Sequence, residues 1–276
     1  TILLIDSIAV LLQISDSLKG LGSDYTKALE IDNQMLILTS KLYGNEHEEY
    51  IKLLGEISID YRMLGEYETA LALSLECYEM IVNILGKEHT EYPRTLNRLA
   101  AVYYLTGNSK KAIEFNQEAL QLDEKIYGKE SEEYTNDLGN MALYYNSIGQ
   151  LEIALDLQLE SISLLEKILG KNHQEYVTAL NNLQITYHEL GNYSKSLDLA
   201  EQVLQGRENI NGKRHPNYAT ALNNLAQVWS DLGNNSKAMD LYQQSLDIYR
   251  LVYGIEHPRC LMVLSNLAIG HIEAGN

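Results

Sequence analysis

The stretch "LYGNEHEEY" (residues 42–50) has the ingredients of a reactive loop. Gly44 can turn the chain, His47 can ligate a metal or carry a proton, and Glu46, Glu48 and Glu49 can serve as acids, bases or ligands. Such a set does chemistry where it is unique and converges on one pocket. Here it recurs, as "LGKEHTEY" at 85–92, "YGKESEEY" at 127–134, "LGKNHQEY" at 169–176, "NGKRHPNY" at 211–218 and "YGIEHPRC" at 253–260. His89, His173, His215 and His257 take the place of His47, and Ser131 fills the remaining unit. If the repeats stack as packed helices, about 8–10 Å apart, these histidines cannot share a zinc ion whose ligands lie at about 2.0–2.3 Å. The peptide is therefore read as scaffolding. The glycine ends one helix in a left-handed conformation, and the His and acidic residues satisfy free N–H groups at the start of the next.

The elements that position these loops follow from the period. Gly44, Gly86, Gly128, Gly170, Gly212 and Gly254 are spaced by 42 residues, as are Gly65, Gly107, Gly149, Gly191, Gly233 and Gly275. Ala70, Ala112, Ala154 and Ala238 keep the same interval, with Ser196 in the gap. Between the glycines the apolar residues recur at helical spacing, for example Ala179, Leu183, Tyr187 and Leu190, then Leu197, Ala200, Val203 and Leu204. Glycine just past each run stops it. The spacing predicts six helix–turn–helix units, at about 3–43, 44–85, 86–127, 128–169, 170–211 and 212–253, and a half unit at 254–276. The first unit has one extra residue in its turn, "LGSDYTKAL" against "LGEYETAL". Gly206 stands inside a predicted helix at a cost of about 1 kcal/mol relative to Ala, and nothing in the sequence accounts for it.

Composition narrows the function. The chain has 276 residues, 45% of them hydrophobic, and three prolines, so it builds a sizeable core without long linkers. Its net charge is −17. Nucleic-acid binders carry a basic footprint instead. Two cysteines, Cys77 and Cys260, make neither a disulfide framework nor a zinc site, which fits a reducing, cytoplasmic compartment. Cys77 falls in a small-residue packing slot and is expected to be buried and inert. The apolar start, "TILLIDSIAVLLQI", is too short to cross a bilayer. Because Thr1 is not an initiator Met, the chain is expected to be part of a longer one. No Gly-rich phosphate loop, nucleophile elbow or HExxH is present. The reading is of a protein that is not an enzyme and needs no cofactor or metal. Tyr61, Tyr103, Tyr145, Tyr187 and Trp229 form a column expected to wedge between paired helices.

"LNNLAQVWSDLGNNSKAMDLYQQSLDIY" (222–249) resembles a tetratricopeptide repeat, through Leu225, Ala226, Trp229, Gly233, Ala238 and Leu246. The period of 42 with "GxxHPxY" between units is similar to the kinesin-light-chain subtype. "HPNYATALNNLA" (215–226) also looks like arrays attached to caspase-like or other effector domains. The His-Pro pair stands only at 215–216 and 257–258. The resemblance implies an all-α, right-handed α-solenoid, a single repeat domain over 1–276, that binds a peptide or partner domain in a concave groove. The alternative is a regulatory array of a larger effector enzyme. Fold does not by itself decide between them.

The resemblance also assigns the groove. One column is Asn97, Gly139, Asn181, Asn223 and Ser265, and the next is Arg98, Asn140, Asn182, Asn224 and Asn266. Four residues before the second column stand Arg94, Asn136, Thr178, Thr220 and Met262, with Lys52 in the second unit. Asn is a poor helix-interior residue. Either one Asn per unit bonds the neighbouring hairpin, or the amides grip an extended peptide backbone through their paired donor and acceptor. Asn182 and Asn224 suit packing, and the additional Asn181 and Asn223 suit binding. Lys52, Arg62, Arg94 and Arg98 gather in units two and three, where they either take an acidic or carboxylate-ended segment or pair with glutamates of an adjacent unit. His188, Glu189 and Asp231 complete the groove. The last helix, lacking a partner, is expected to self-associate through Leu261, Val263, Leu264, Leu267, Ala268 and Ile272 or to be covered by more chain.

Overall fold

The computed structural model describes residues 2–21 and 24–273. Thr1, Gly22, Ser23, Gly275 and Asn276, which enter the reading of the first turn and of the chain ends, lie outside them. Among the described residues the chain is all-α, with thirteen helices and no strand. Two compact units divide it, Thr1–Lys129 and Glu130–Asn276. The first holds α1 (Ile2–Leu21), α2 (Tyr25–Tyr43), α3 (Glu48–Met63), α4 (Tyr67–Met80, prolonged by a π turn at Ile81–Leu85), α5 (Glu91–Leu105) and α6 (Ser109–Tyr127). The second holds α7 (Glu132–Ser147), α8 (Leu151–Ile168), α9 (Gln174–Glu189), α10 (Tyr193–Asn211), α11 (Pro216–Asp231), α12 (Asn235–Tyr253) and α13 (Pro258–Glu273).

The recurring histidines cap helices. His47, His89, His173, His215 and His257 each accept, through Nδ1, the backbone N–H two residues ahead, at 3.1–3.4 Å. Ser131 does the same with its Oγ from Tyr134 N–H, at 3.3 Å. The linker glycine departs from the expected left-handed turn. Gly44 has φ 87° and ψ 166°, an extended positive-φ conformation that is essentially glycine's alone. The chain thus leaves α2 straight rather than curled, and reaches the His cap in three residues.

Small residues let the paired helices approach. Ala28, Ala70, Ala112, Ala154, Ser196 and Ala238 are all buried. Tyr92, Tyr134, Tyr176 and Tyr218 fill the core column that Cys260 ends, and Cys77 is buried with its Sγ toward Ile51 O. Burial pushes the Cys77 thiol pKa up, as befits an inert thiol. In the aromatic column Tyr103 stacks on Phe115 with ring centroids 5.5 Å apart, while Lys111, Lys195 and Lys237 lie over Tyr103, Tyr187 and Trp229. Gly206 also finds its reason. A Cβ there would sit 2.7 Å from Cγ2 of Val177, so α10 meets α9 too closely for any side chain. In α13, Val263 is buried, whereas Leu261 and Ile272 are 56% and 75% exposed.

Candidate functional site

The candidate residues divide into those already engaged within the protein and those left open. In the first unit every candidate cation except Arg62 meets a carboxylate. Lys52 pairs with Glu48 at 2.6 Å and Glu49 at 3.4 Å, and Arg94 with Glu91 at 3.1 Å. Arg98 reaches Glu56, on the preceding hairpin, at 2.8 Å and Glu91 at 3.7 Å. Its guanidinium lies where a side chain on Gly55 would be, 2.5 Å from an ideal Cβ. Arg98 thus pairs with a glutamate of the adjacent hairpin, whereas Arg94 pairs within its own helix. Arg62 stands half-buried in the last turn of α3. Asn97 accepts a hydrogen bond from the buried Asn116 at 2.8 Å.

In the second unit the Asn columns interlock. Asn224 Nδ2 donates to Asn181 Oδ1 at 2.9 Å, and Asn266 Nδ2 to Asn223 Oδ1 at 3.1 Å. Each bond joins adjacent hairpins. The expectation that Asn181 and Asn223 are surplus to packing is therefore corrected, since they are the acceptors of the inter-hairpin bonds. His188 is engaged as well. Its Nε2 lies 2.6 Å from Asp231 Oδ2, and Asp231 also accepts from Gln227.

The same bond cannot form at Asn182. The place from which Asn182 would be bonded is Gly139, which has no side chain. A pocket of about 380 Å³ opens there between α7 and α9, walled by Asn136, Asn140 and Asn182 and backed by Ser161 and Leu165 of α8. Among the described residues none of these three amides spends its side chain on a hydrogen bond. Glu175 adds a carboxylate to the wall, one of whose oxygens is buried without a hydrogen-bond partner. Three open amides and one carboxylate can donate to and accept from a main chain. The sequence signal for this pocket is Gly139, whose missing side chain leaves Asn182 without the partner that Asn181 offers Asn224.

A direct consequence concerns stability. Asn224→Ala should lower the unfolding free energy by about 1 kcal/mol, the net worth of one hydrogen bond, whereas Asn182→Ala should leave it unchanged. Urea denaturation of both variants measures this, and equal losses would contradict the pairing.

The model of the tetratricopeptide repeat family matches residues 58–125, 134–209 and 185–250. The chain belongs to the tetratricopeptide repeat family. Arrays of this family generally mediate protein interactions and are typically non-catalytic scaffolds. Among solved structures, BtubC (BKLC) from P. vanneervenii is 19% identical at a TM-score of 0.69, over 85% of this chain and 94% of that one. Nearly identical TPR-like repeats of a Podosopora anserina protein, named after kinesin light chain, are 21% identical at a TM-score of 0.63, over 75% and 99%. A STAND protein with a tetratricopeptide repeat sensor, PH0952 from Pyrococcus horikoshii, is 16% identical at a TM-score of 0.70, over 96% of this chain and 38% of that one. These likenesses concern the fold. No curated protein matches the chain. Among the described residues no helix is long and apolar enough to cross a membrane.

Proposed function

We propose that this tetratricopeptide array is a protein-interaction module that holds an extended peptide segment across α7 and α9. The observation that carries the reading is the open trio Asn136, Asn140 and Asn182, three amides around one pocket, while the amides beside them are consumed by packing. Asn is a poor helix-interior residue, so three amides left open around one pocket favour a role beyond the repeat itself. Glu175 favours a donor group on the peptide at this point, and the carboxylate-paired arginines of the first unit argue against recognition of acidic segments there.

The test is a peptide array probed with the full chain and with the Asn136→Ala/Asn140→Ala/Asn182→Ala variant. Peptides held by the wild type should lose at least about tenfold in affinity, the worth of one or two neutral hydrogen bonds, with an unchanged denaturation midpoint. Retained affinity would remove the amide pocket from the binding surface.

A second reading is favoured by the STAND neighbour with its tetratricopeptide repeat sensor, a longer chain of which the match covers 38%. In it the same face receives a domain of the same polypeptide and the array regulates an effector. Binding of the isolated array to such a domain, lost on the triple Asn substitution, would distinguish it from capture of a separate partner.

A further inference from the structure

On the other side of α9 a smaller cavity, about 170 Å³, is lined by Asn181, Arg207, Asn217, Thr220 and Arg259. Arg207 is 7% exposed. Its Nη2 donates to Thr178 Oγ1 at 2.8 Å, and its Nη1 is buried with no hydrogen-bond partner. Arg259 donates through Nη1 to Thr220 Oγ1 at 3.1 Å and to the Tyr249 hydroxyl at 3.3 Å. Among the described residues neither guanidinium has an ion pair. Buried cations are ordinarily paired. In a chain of net charge −17, the buried Arg207 faces a polar cavity beside the exposed Arg259 with no carboxylate among the lining residues, a setting that favours an external counter-charge. We propose that this cavity is a phosphoryl-binding site, in which Arg207 and Arg259 hold a dianionic phosphate group and the side-chain Nδ2 groups of Asn181 and Asn217 complete its hydrogen bonds, the Thr220 hydroxyl being already donated to Pro216 O.

The sequence clears the cavity of acid in an ordered way. The position of Arg259 in earlier repeats is Glu49, Glu91, Glu133 and Glu175. It becomes neutral at Asn217 and basic at Arg259, and these last two line the cavity. Gly206 supplies the approach. By letting α10 close onto Val177, it sets the next residue, Arg207, against the next residue of α9, Thr178. One repeat later Tyr249 occupies the place of Arg207 and meets Thr220 at 2.7 Å. The guanidinium is thus a replacement of a self-contained hydroxyl contact by a group with donors to spare. Burial alone holds the Arg207 pKa below the usual arginine range, as expected of a cation whose compensating anion comes from elsewhere. Two guanidiniums match the charge of a phosphate monoester and offer the forked donors it prefers.

The site does not depend on the amide pocket and is tested separately. Inorganic phosphate is titrated into the full chain by calorimetry, against chloride at matched ionic strength. Saturable phosphate binding is expected, weakened at least about tenfold, the loss of one charge-assisted contact, in Arg259→Gln. That arginine is exposed, so its loss does not threaten the fold; Arg207→Met should give the same loss. Equal heats from chloride, or binding unchanged in Arg259→Gln, would overturn the proposal. A phosphoserine peptide compared with its serine and glutamate counterparts identifies the source. Preference for phosphoserine supports a phosphorylated partner. Binding of free phosphate without any peptide preference supports a phosphate ion as the ligand, and equal binding of the glutamate peptide overturns the dianion assignment.

Discussion

Lys19→Met should destabilise the chain by about 3–5 kcal/mol at pH 8, the cost of removing one partner from a buried ionic group. Lys19 of α1 lies 2.7 Å from Asp32 of α2 and 2.8 Å from Asp60 of α3. Both carboxylates are buried. Without the ammonium, two acids share a site that water does not reach. The position of Asp60 holds Val102 and Val228 in later repeats, so the triad replaces apolar packing rather than extending a surface network. Burial, and then the neighbouring Asp32, push the Asp60 pKa from 3.8 up to about 7 despite Lys19. The folded chain therefore binds this proton more tightly than the unfolded chain does. The stability it contributes is full below about pH 4 and is lost as the pH rises through about 7. Denaturation midpoints should fall between pH 5 and pH 8 in the wild type, and the loss from Lys19→Met should be smaller at pH 5. Asp60→Val leaves Lys19 and Asp32 as a balanced pair, and should match or exceed wild-type stability while flattening the pH slope. A Lys19→Met midpoint equal to wild type at pH 8 would refute the account.

Gly206→Ala should also destabilise, against helix propensity. Removing a mid-helix glycine ordinarily stabilises by about 1 kcal/mol. Here the new Cβ would meet the Val177 methyls at 2.7 and 3.1 Å. Val177 is 1% exposed, and a β-branched side chain on a helix has essentially one rotamer, so it cannot turn away. Overpacking of this kind costs about 1–3 kcal/mol, enough to reverse the sign. Val177→Ala in the Gly206→Ala background should recover part of the loss, because it removes the atoms that clash. Thermal unfolding of the four chains of this cycle measures the coupling. Additive effects would show that the close approach of α9 and α10 is not what selects glycine. Phosphate binding is informative in the same variant, since a displaced α10 carries Arg207 with it.

The helical pattern, the stops and the caps were legible in the sequence because each depends on residues within a few positions of one another. Gly44 breaks α2 where it stands, and His47 caps the N–H two residues ahead. A mutation in one loop leaves those rules intact in the next, and repetition exposes them as a period of 42. The groove residues obeyed a different logic. Periodicity placed Asn181, Asn182, Asn223 and Asn224 in columns, but whether Asn182 and Asn224 bond turns on the residue 43 positions earlier. That residue is Asn for Asn224 and Gly for Asn182. The sequence leaves Arg98 open between a ligand and a glutamate of the adjacent unit, and packing over Gly55 brings it to Glu56. Arg207 and Arg259, 52 positions apart, line one cavity together with residues of α9 and α11. Local backbone chemistry thus determined the repeat from the sequence alone, whereas the balance of charge and open hydrogen-bonding groups was decided only when neighbouring hairpins came together.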